Sequence, residues 1–153
     1  MPGPVILLAV YEPSQWSLPE MSGRHAGFFI ESLRALADQV ARQSASPLVW
    51  HEGEMIPLLE QLWSAWGPFQ LWAHEETSGP EGYARDRAVR AWCRAKGLPM
   101  QECSQNNVVR RLDSRDRWSR HWDARMASPR LPAPTLSPEA DGLLARLPVG
   151  LLQ

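Results

Sequence analysis

The sequence predicts an α/β domain with a doubly wound parallel sheet of about four strands. Short apolar runs alternate with segments of helical periodicity, in the order strand, helix, strand, helix, strand, helix, strand. The first run, 5–10, is apolar at every position, which is typical of a strand buried on both faces of a parallel sheet. Because alternation of this kind builds βαβ units, we expect a Rossmann-like arrangement with helices on both faces.

Each element has its own start and stop residues. The strands are predicted over 5–10, 47–50, 69–73 and 98–103, and the helices over 22–43, 54–66, 81–96 and 115–127. Gly67 and Pro68 end the second helix, and Gly97 closes the third. Ser114 is placed to cap the fourth helix, where its hydroxyl can accept a backbone N–H.

Length and composition favour one small domain. The chain has 153 residues, 44% of them hydrophobic, and a formal net charge of −1. No apolar run reaches the roughly 18 to 20 residues of a membrane span, and the start resembles no signal peptide, so we expect a cytoplasmic protein without membrane contact. We predict an α/β domain over 1–127 and a proline-rich linker and tail over 128–153.

Three residue types are used unusually. Cys93 and Cys103 have neither redox nor zinc spacing, so we expect two buried free thiols in a reducing compartment. Lys96 is the single lysine among 16 basic residues, a bias that fits a GC-rich genome better than a chemical role. The eight tryptophans are either large core and interface residues or platforms for a planar ligand.

Polar residues follow every predicted strand. They are Tyr11 and Glu12, His51 and Glu52, the run His74 to Thr77, and the run Ser104 to Asn107. Because ligands of open parallel sheets bind beyond the carboxyl ends of the strands, these residues predict a ligand-binding rim. The alternative is that loops are polar whatever their function.

No self-contained active site is recognisable. The sequence has neither a GxGxxG turn nor a P-loop, so no glycine-rich backbone cradles a phosphate. His74 beside Glu75 and Glu76 could ligate a metal, and Cys103 could be a nucleophile. A loop histidine beside two acids is common, and Cys103 has no visible base partner. We therefore predict neither catalytic residues nor metal ligands.

Charge is distributed unevenly along the chain. Residues 1–103 hold 8 basic and 12 acidic side chains, whereas residues 104–130 hold seven arginines against three aspartates. Basic residues interleaved with tryptophan can grip a nucleic-acid backbone. Arginines interleaved with tryptophan also suit a helix that docks on an acidic neighbour or forms several ion pairs.

Several segments, in order, resemble the photolyase/cryptochrome family. They are Val5 to Pro13, Ser22 to Leu33 with its Ser-Gly-Arg-His start, His74 to Thr77 followed by Tyr83 to Val89, Gln105 to Leu112, and the helix from Trp118 to Met126. The resemblance runs from about residue 4 to residue 134. It implies the amino-terminal α/β domain of that family.

The resemblance also implies light-driven chemistry. Complete members repair pyrimidine dimers in DNA or sense blue light, and hold FAD and the DNA lesion in a separate helical domain. Their α/β domain holds an antenna pigment, which is a folate, a deazaflavin or a flavin. By position, the antenna-facing residues here are Arg24, Glu75, Glu76 and Asn106.

Two departures from the family pattern shape our expectations. The family's first, central strand and its FAD-binding helical domain have no counterpart, so we expect a fragment that is inactive by itself. Without the central strand, two strand edges are expected to stay unpaired or to be forced together. The alternatives are a stand-alone chromophore-binding module and an interaction subunit that docks through residues 110–130 onto a separate flavoprotein.

Overall fold

The computed structural model of the chain describes residues 4–43, 47–104, 108–110, 112–132 and 144–146. The chain divides into two units, Met1–Pro68 with Pro134–Gln153, and Phe69–Ala133. The division follows Gly67, which ends a helix as predicted and adopts a φ of 77°. Glycine takes this left-handed conformation without a Cβ clash. None of the described helices has the length and apolar character needed to cross a membrane.

The first unit is built on one parallel strand pair. Its elements are β1 (Leu7–Tyr11), α1 (Pro13–Trp16), α2 (Gly23–Gln43), β2 (Leu48–Glu52) and α3 (Met55–Trp66). Leu7 lies opposite Leu48 and Tyr11 lies opposite Glu52, so β1 and β2 end at the same edge. The crossover through α2 makes a βαβ unit, which is what a parallel pair requires.

The most deeply buried apolar residues of the first unit lie on β2 and α3. Val49, Leu58 and Leu59 are 0% exposed, and Leu62 is nearly so. By contrast, Val40 is the one buried residue among the 21 of α2. The apolar stripe of α2, although periodic, is therefore only partly buried.

The second unit repeats the strand-helix-strand pattern. Its elements are β3 (Leu71–His74), α4 (Pro80–Ala95), β4 (Met100–Cys103), a 3₁₀ turn (Arg115–Arg117) and α5 (Trp118–Met126). Leu71 lies opposite Met100 and His74 lies opposite Cys103 in a parallel register. After α4 the backbone turns at Gly97, whose φ of 67° again suits glycine.

The predicted elements are found with small changes at their ends. Ser114 caps the last helix as predicted, because its hydroxyl accepts the Asp116 N–H at 3.3 Å. That helix begins as a 3₁₀ turn, and the short helix α1 was not predicted. Proline at the first position of α1 lacks the N–H that would have no intrahelical partner there.

The predicted α/β class with four parallel-pairing strands is confirmed. Within the described residues these strands form two sheets of two, β1 with β2 and β3 with β4. Among the described residues, β1 and β3 do not pair with each other, and the expected loss of a central strand stays a prediction. The predicted boundary at residue 127 stays a prediction.

Candidate functional site

Polar residues gather where β3 and β4 end, as the strand-end pattern predicts. The His74 ring nitrogen Nδ1 lies 3.3 Å from the Cys103 carbonyl oxygen. The Glu75 N–H donates to the same oxygen at 3.0 Å. The loop after β3 is therefore fixed to β4 before it turns toward α4.

The Glu76 side chain folds back onto its own loop. Its Oε1 accepts the N–H groups of Thr77 and Ser78, each at 2.7 Å. It also packs against Gly82 of α4, where a Cβ would lie 2.6 Å from Glu76 Cγ. Since real Cβ atoms do not come so close, this position depends on glycine.

Arg110 joins three segments of the second unit. Its Nη2 lies 2.5 Å from Asp86 Oδ2 on α4, and its Nη1 lies 2.9 Å from Glu102 Oε1 on β4. Its Nε donates to the Glu76 carbonyl oxygen at 3.0 Å. The Arg110 side chain is only 15% exposed, so these partners replace the water it has lost.

Both carboxylates that bind Arg110 have a second partner. Asp86 Oδ2 accepts the Glu76 N–H at 2.9 Å. Arg90 donates to Glu102 through two hydrogen bonds, from Nε at 2.7 Å and from Nη2 at 2.9 Å. We call Asp86, Arg90, Glu102 and Arg110 the charge network. It fixes α4, β4 and the loop after β3 in one arrangement.

The pKa values of two groups respond to this environment. Desolvation acts to raise the pKa of Glu76, but hydrogen bonds from Ser78 and Thr77 and the charge of Arg85 outweigh it, so the pKa lies below its usual 4.5. Desolvation acts to lower the pKa of Arg110, whereas the carboxylates of the charge network raise it, with a net increase. Both groups are charged at neutral pH, so the loop is bordered by fixed charges.

An open cleft of about 690 Å³ lies beside this loop. Its lining comes from the loop, the first turns of α4 and the segment after β4: Glu76, Thr77, Gly79, Pro80, Tyr83, Arg87, Val108 and Arg110. The Arg110 guanidinium lies 5.0 Å from the centre of the Tyr83 ring. Arg87 is exposed and makes no ion pair with any described residue. An aromatic wall with a free cation suits a planar ligand that carries an anionic group.

A smaller cavity of about 370 Å³ shares part of this wall. It is lined by Glu75, Ser104, Val108, Val109, Arg110, His121 and Arg125. Arg125 Nη2 donates to the Ser104 carbonyl oxygen at 3.1 Å, which ties α5 to the end of β4. Glu75 therefore opens onto a different cavity from Glu76.

A protein-family model described as DNA photolyase matches residues 1–131. The chain belongs to the DNA photolyase family. The matched span contains both parallel strand pairs, the charge network and the cleft, and it corresponds to the family's amino-terminal α/β domain. No match was found among curated proteins.

The antenna-facing residues predicted for this photolyase-family domain lie in different places. Glu75 and Glu76 leave the same strand end, but Glu76 is occupied with capping its own loop. Arg24 lies exposed in the first turn of α2, in the first unit. Asn106 lies outside the described residues. That these four bind an antenna pigment stays a prediction.

The charge network and Tyr83 were not predicted as site residues. Asp86 did carry a signal, because Gly82, Asp86, Val89 and Cys93 recur at helical spacing along the buried side of α4. A carboxylate within such a stripe needs a cation nearby. The arginine-rich segment that contains Arg110 was predicted to contact DNA, to dock on an acidic neighbour or to form ion pairs, and the structure shows Arg110 in ion pairs.

In the first unit, the carboxylates that follow β1 and β2 cap the starts of helices. Glu12, only 4% exposed, accepts the Met55 N–H at 3.0 Å. Glu54 accepts the Ser14 N–H at 3.0 Å and the Ser14 hydroxyl at 2.7 Å. Both carboxylates therefore satisfy N–H groups at helix starts, which helices cannot satisfy internally.

The tryptophans include both core and surface residues, and their use as platforms for a planar ligand stays a prediction. Trp92 is buried at 8% exposure, and Trp16 stacks on Tyr11 with ring centres 5.2 Å apart. Trp72, by contrast, is 63% exposed. Trp118 and Trp122 are about two-fifths exposed on α5, with ring centres 5.3 Å apart.

Both cysteines are free, as predicted, but only one is buried. Cys93 is buried, and desolvation raises its pKa, so it is an unreactive thiol. The prediction that Cys103 is buried is wrong, because this residue stands at the carboxyl end of β4 and is partly exposed. Among the described residues, no group of three or more His, Cys, Asp or Glu side chains is placed to hold a metal ion.

Proposed function

We propose that the chain acts as the antenna-binding α/β domain of a photolyase- or cryptochrome-type flavoprotein. The observation that carries the proposal is the cleft beside Tyr83 and Arg87, within a chain of the DNA photolyase family. The pigment class is that of the family: a folate, a deazaflavin or a flavin. Such pigments join a planar ring system to a polar or anionic tail, which is the chemistry the cleft offers.

The cleft residues have distinct parts in this proposal. Tyr83, Pro80 and Val108 supply apolar surface against which a planar ring can lie. Arg87 supplies the free cation for an anionic tail. Glu76 shapes the loop by capping it. Arg24, Glu75 and Asn106 are proposed as pigment contacts on the family resemblance alone, not as parts of this cleft.

The repair or light-sensing chemistry is proposed to need a second component. FAD, when bound in the family's helical domain, supplies the excited electron donor for pyrimidine-dimer repair. In this domain, Arg110 is engaged by Asp86 and Glu102 rather than open to a phosphate backbone. We therefore propose that DNA is bound only together with an FAD-binding helical domain or separate flavoprotein.

Pigment retention tests the proposal directly. The purified chain is incubated with FMN, with methenyltetrahydrofolate and with a deazaflavin, then desalted, and absorbance is read between about 350 and 450 nm. We expect one pigment to be retained, and Tyr83→Ala or Arg87→Gln to weaken its binding about tenfold.

Arg94→Gln is the matched control, because Arg94 lies on the same helix, is exposed and does not line the cleft. Its pigment affinity should equal that of the unchanged chain. Failure to retain any of the three pigments contradicts the proposal, as does equal retention by the Tyr83→Ala and Arg87→Gln variants.

A further inference from the structure

We propose that the smaller cavity of the second unit binds an α-amino acid with an aliphatic side chain. At about 370 Å³ the cavity lies at the small end of the roughly 300 to 1,000 Å³ that is usual for ligand pockets, which suits a ligand of this size. Its ligand is distinct from the pigment, so the inference does not rest on pigment binding. The cavity is lined by Glu75, Ser104, Val108, Val109, Arg110, His121 and Arg125.

Glu75 brings a half-buried carboxylate to the smaller cavity. Its N–H donates to the Cys103 carbonyl oxygen at 3.0 Å, which holds the residue at the end of the strand pair. The Glu75 side chain makes no hydrogen bond or ion pair with any residue that the structure describes. A carboxylate that has lost part of its water is stabilised by a charged hydrogen-bond donor. The ammonium group of a ligand is such a donor.

The wall that α5 contributes carries hydrogen-bond donors. His121 and Arg125 are four residues apart, so they lie on one side of the helix, and both line the cavity. Arg125 Nη2 donates to the Ser104 carbonyl oxygen at 3.1 Å, which fixes the guanidinium in the wall. A guanidinium has five N–H donors, so Arg125 can keep its present contacts and also bind a carboxylate. His121 offers a ring N–H beside it. This wall therefore suits the carboxylate of a ligand.

Two valines supply the apolar part of the cavity. Val108 and Val109 both line it, and Val108 is 45% exposed. An aliphatic side chain that lies against Val108 removes apolar surface of both partners from water, which favours binding. The cavity therefore offers three kinds of surface, and these match the ammonium group, the carboxylate and the side chain of an aliphatic amino acid.

The mixed charge of the lining disfavours ligands that carry one sign of charge. A metal ion or a polyamine would face Arg125, and among the described residues no group of three or more His, Cys, Asp or Glu side chains could hold a metal. A phosphate would face Glu75, while Arg110 in the same lining is already paired with Asp86 and Glu102. An α-amino acid carries both signs on neighbouring groups and complements both walls.

Three matched ligands test each charge in turn. The ¹⁵N-labelled full chain is titrated near neutral pH with L-leucine, with L-leucinamide, which lacks the carboxylate, and with N-acetyl-L-leucine, which lacks the ammonium group. Changes in amide chemical shifts measure binding. We expect L-leucine to bind with a dissociation constant of about 1 mM, since the ligand is small, and both analogues to bind at least about tenfold more weakly.

A charge-removing variant connects the binding to Glu75. Glu75→Gln should weaken binding of L-leucine about tenfold. It should not weaken binding of N-acetyl-L-leucine, because that ligand has no ammonium group for Glu75 to bind. Glu81→Gln is the matched control, since Glu81 is exposed in the same unit and lines neither cavity. Circular dichroism verifies that both variants fold.

A second pair of variants tests the wall on α5. His121→Ala should weaken binding of L-leucine about threefold, because one donor to the carboxylate is removed. Arg120→Ala removes the neighbouring side chain, which does not line the cavity, and should leave the affinity unchanged.

Three results would overturn the inference. They are equal binding of L-leucine and its two analogues, undiminished binding of L-leucine by Glu75→Gln, and displacement of a retained pigment by about 10 mM L-leucine. Displacement would assign Glu75 to the pigment site instead of a second site. A chain that binds L-leucine but retains no pigment supports this inference and contradicts only the proposed function, so the two failures are distinguishable.

Discussion

The two strand pairs of this chain are surrounded by different stabilising interactions. Around β1 and β2, Val49, Leu58 and Leu59 are completely shielded from solvent. Around β3 and β4, the charge network joins the elements that border the cleft. The stability that apolar packing supplies depends on the side-chain volume that is buried. The stability of an ion pair is lost when either partner is removed. We therefore expect different kinds of substitution to destabilise the two units.

The largest expected effect is loss of volume in the first unit. Leu58→Ala should lower the free energy of unfolding by about 3 to 4 kcal/mol, because a fully buried leucine leaves a cavity. Urea denaturation followed by circular dichroism measures the change. Leu36→Ala is the control, since Leu36 is 45% exposed and its loss should cost less than about 1 kcal/mol. Equal costs for the two variants would contradict the description of this core.

A comparable loss should follow from removal of a single charge in the second unit. Arg110→Met leaves Asp86 and Glu102 without their shared cation and should cost about 3 kcal/mol, measured in the same way. Arg117→Met removes the pair with Asp113, which is about 60% exposed on both sides, and should cost less than about 1 kcal/mol. If Arg110→Met proves as mild as Arg117→Met, the charge network does not hold this unit.

Two helical glycines should respond with opposite signs. Gly82→Ala places a Cβ against Glu76 and should cost about 1 to 2 kcal/mol, because the capped loop must move. Gly27→Ala on α2 meets nothing within 4 Å and should gain about 0.5 to 1 kcal/mol from helix propensity. Thermal unfolding of both variants measures the difference, and a stabilising Gly82→Ala would show that Glu76 does not occupy this place.

The smallest effect should appear on acidification. The pKa of folded Glu76 lies below its usual 4.5, so ionised Glu76 stabilises the folded chain above that pH, and this contribution is lost as the pH falls through the folded pKa. Glu76→Gln should therefore flatten the stability–pH curve below pH 4.5, measured by urea midpoints. Leu36→Ala, which removes no titrating group, should keep the original slope. An unchanged slope in Glu76→Gln would contradict this role of Glu76.

Local patterns were sufficient to predict the elements of this fold except the short helix α1. The apolar run that contains β1, the periodicity of α2 and the cap at Ser114 each act over a few residues, so they can be recognised without the rest of the chain. Which strands pair is a different kind of information. It depends on hydrogen bonds between residues about 30 to 40 positions apart, which no local period encodes.

The site was predictable in place but not in detail. The polar strand ends indicated where a ligand would bind, and the cleft lies beside one of them. The roles within it could not be assigned, because Glu76 is used by its own loop and Asp86 is used by Arg110. The role of Glu76 depends on the conformation of residues 76–78. The pairing of Asp86 with Arg110 joins α4 to the segment after β4, 24 residues further along the chain, and the sequence does not indicate which cation Asp86 binds.

Because each described sheet has only two strands, all four strands are edge strands. β4 is protected against pairing with a strand of another chain, since the polar residues Gln101 and Glu102 interrupt its apolar side chains. β1, with the sequence Leu-Leu-Ala-Val-Tyr, has no such gatekeeper and is half-buried along its whole length. Its outer N–H and C=O groups are a template for any apolar strand that arrives. At high concentration, pairing of this edge with the β1 segment of other copies would therefore compete with folding and lower the yield of soluble chain.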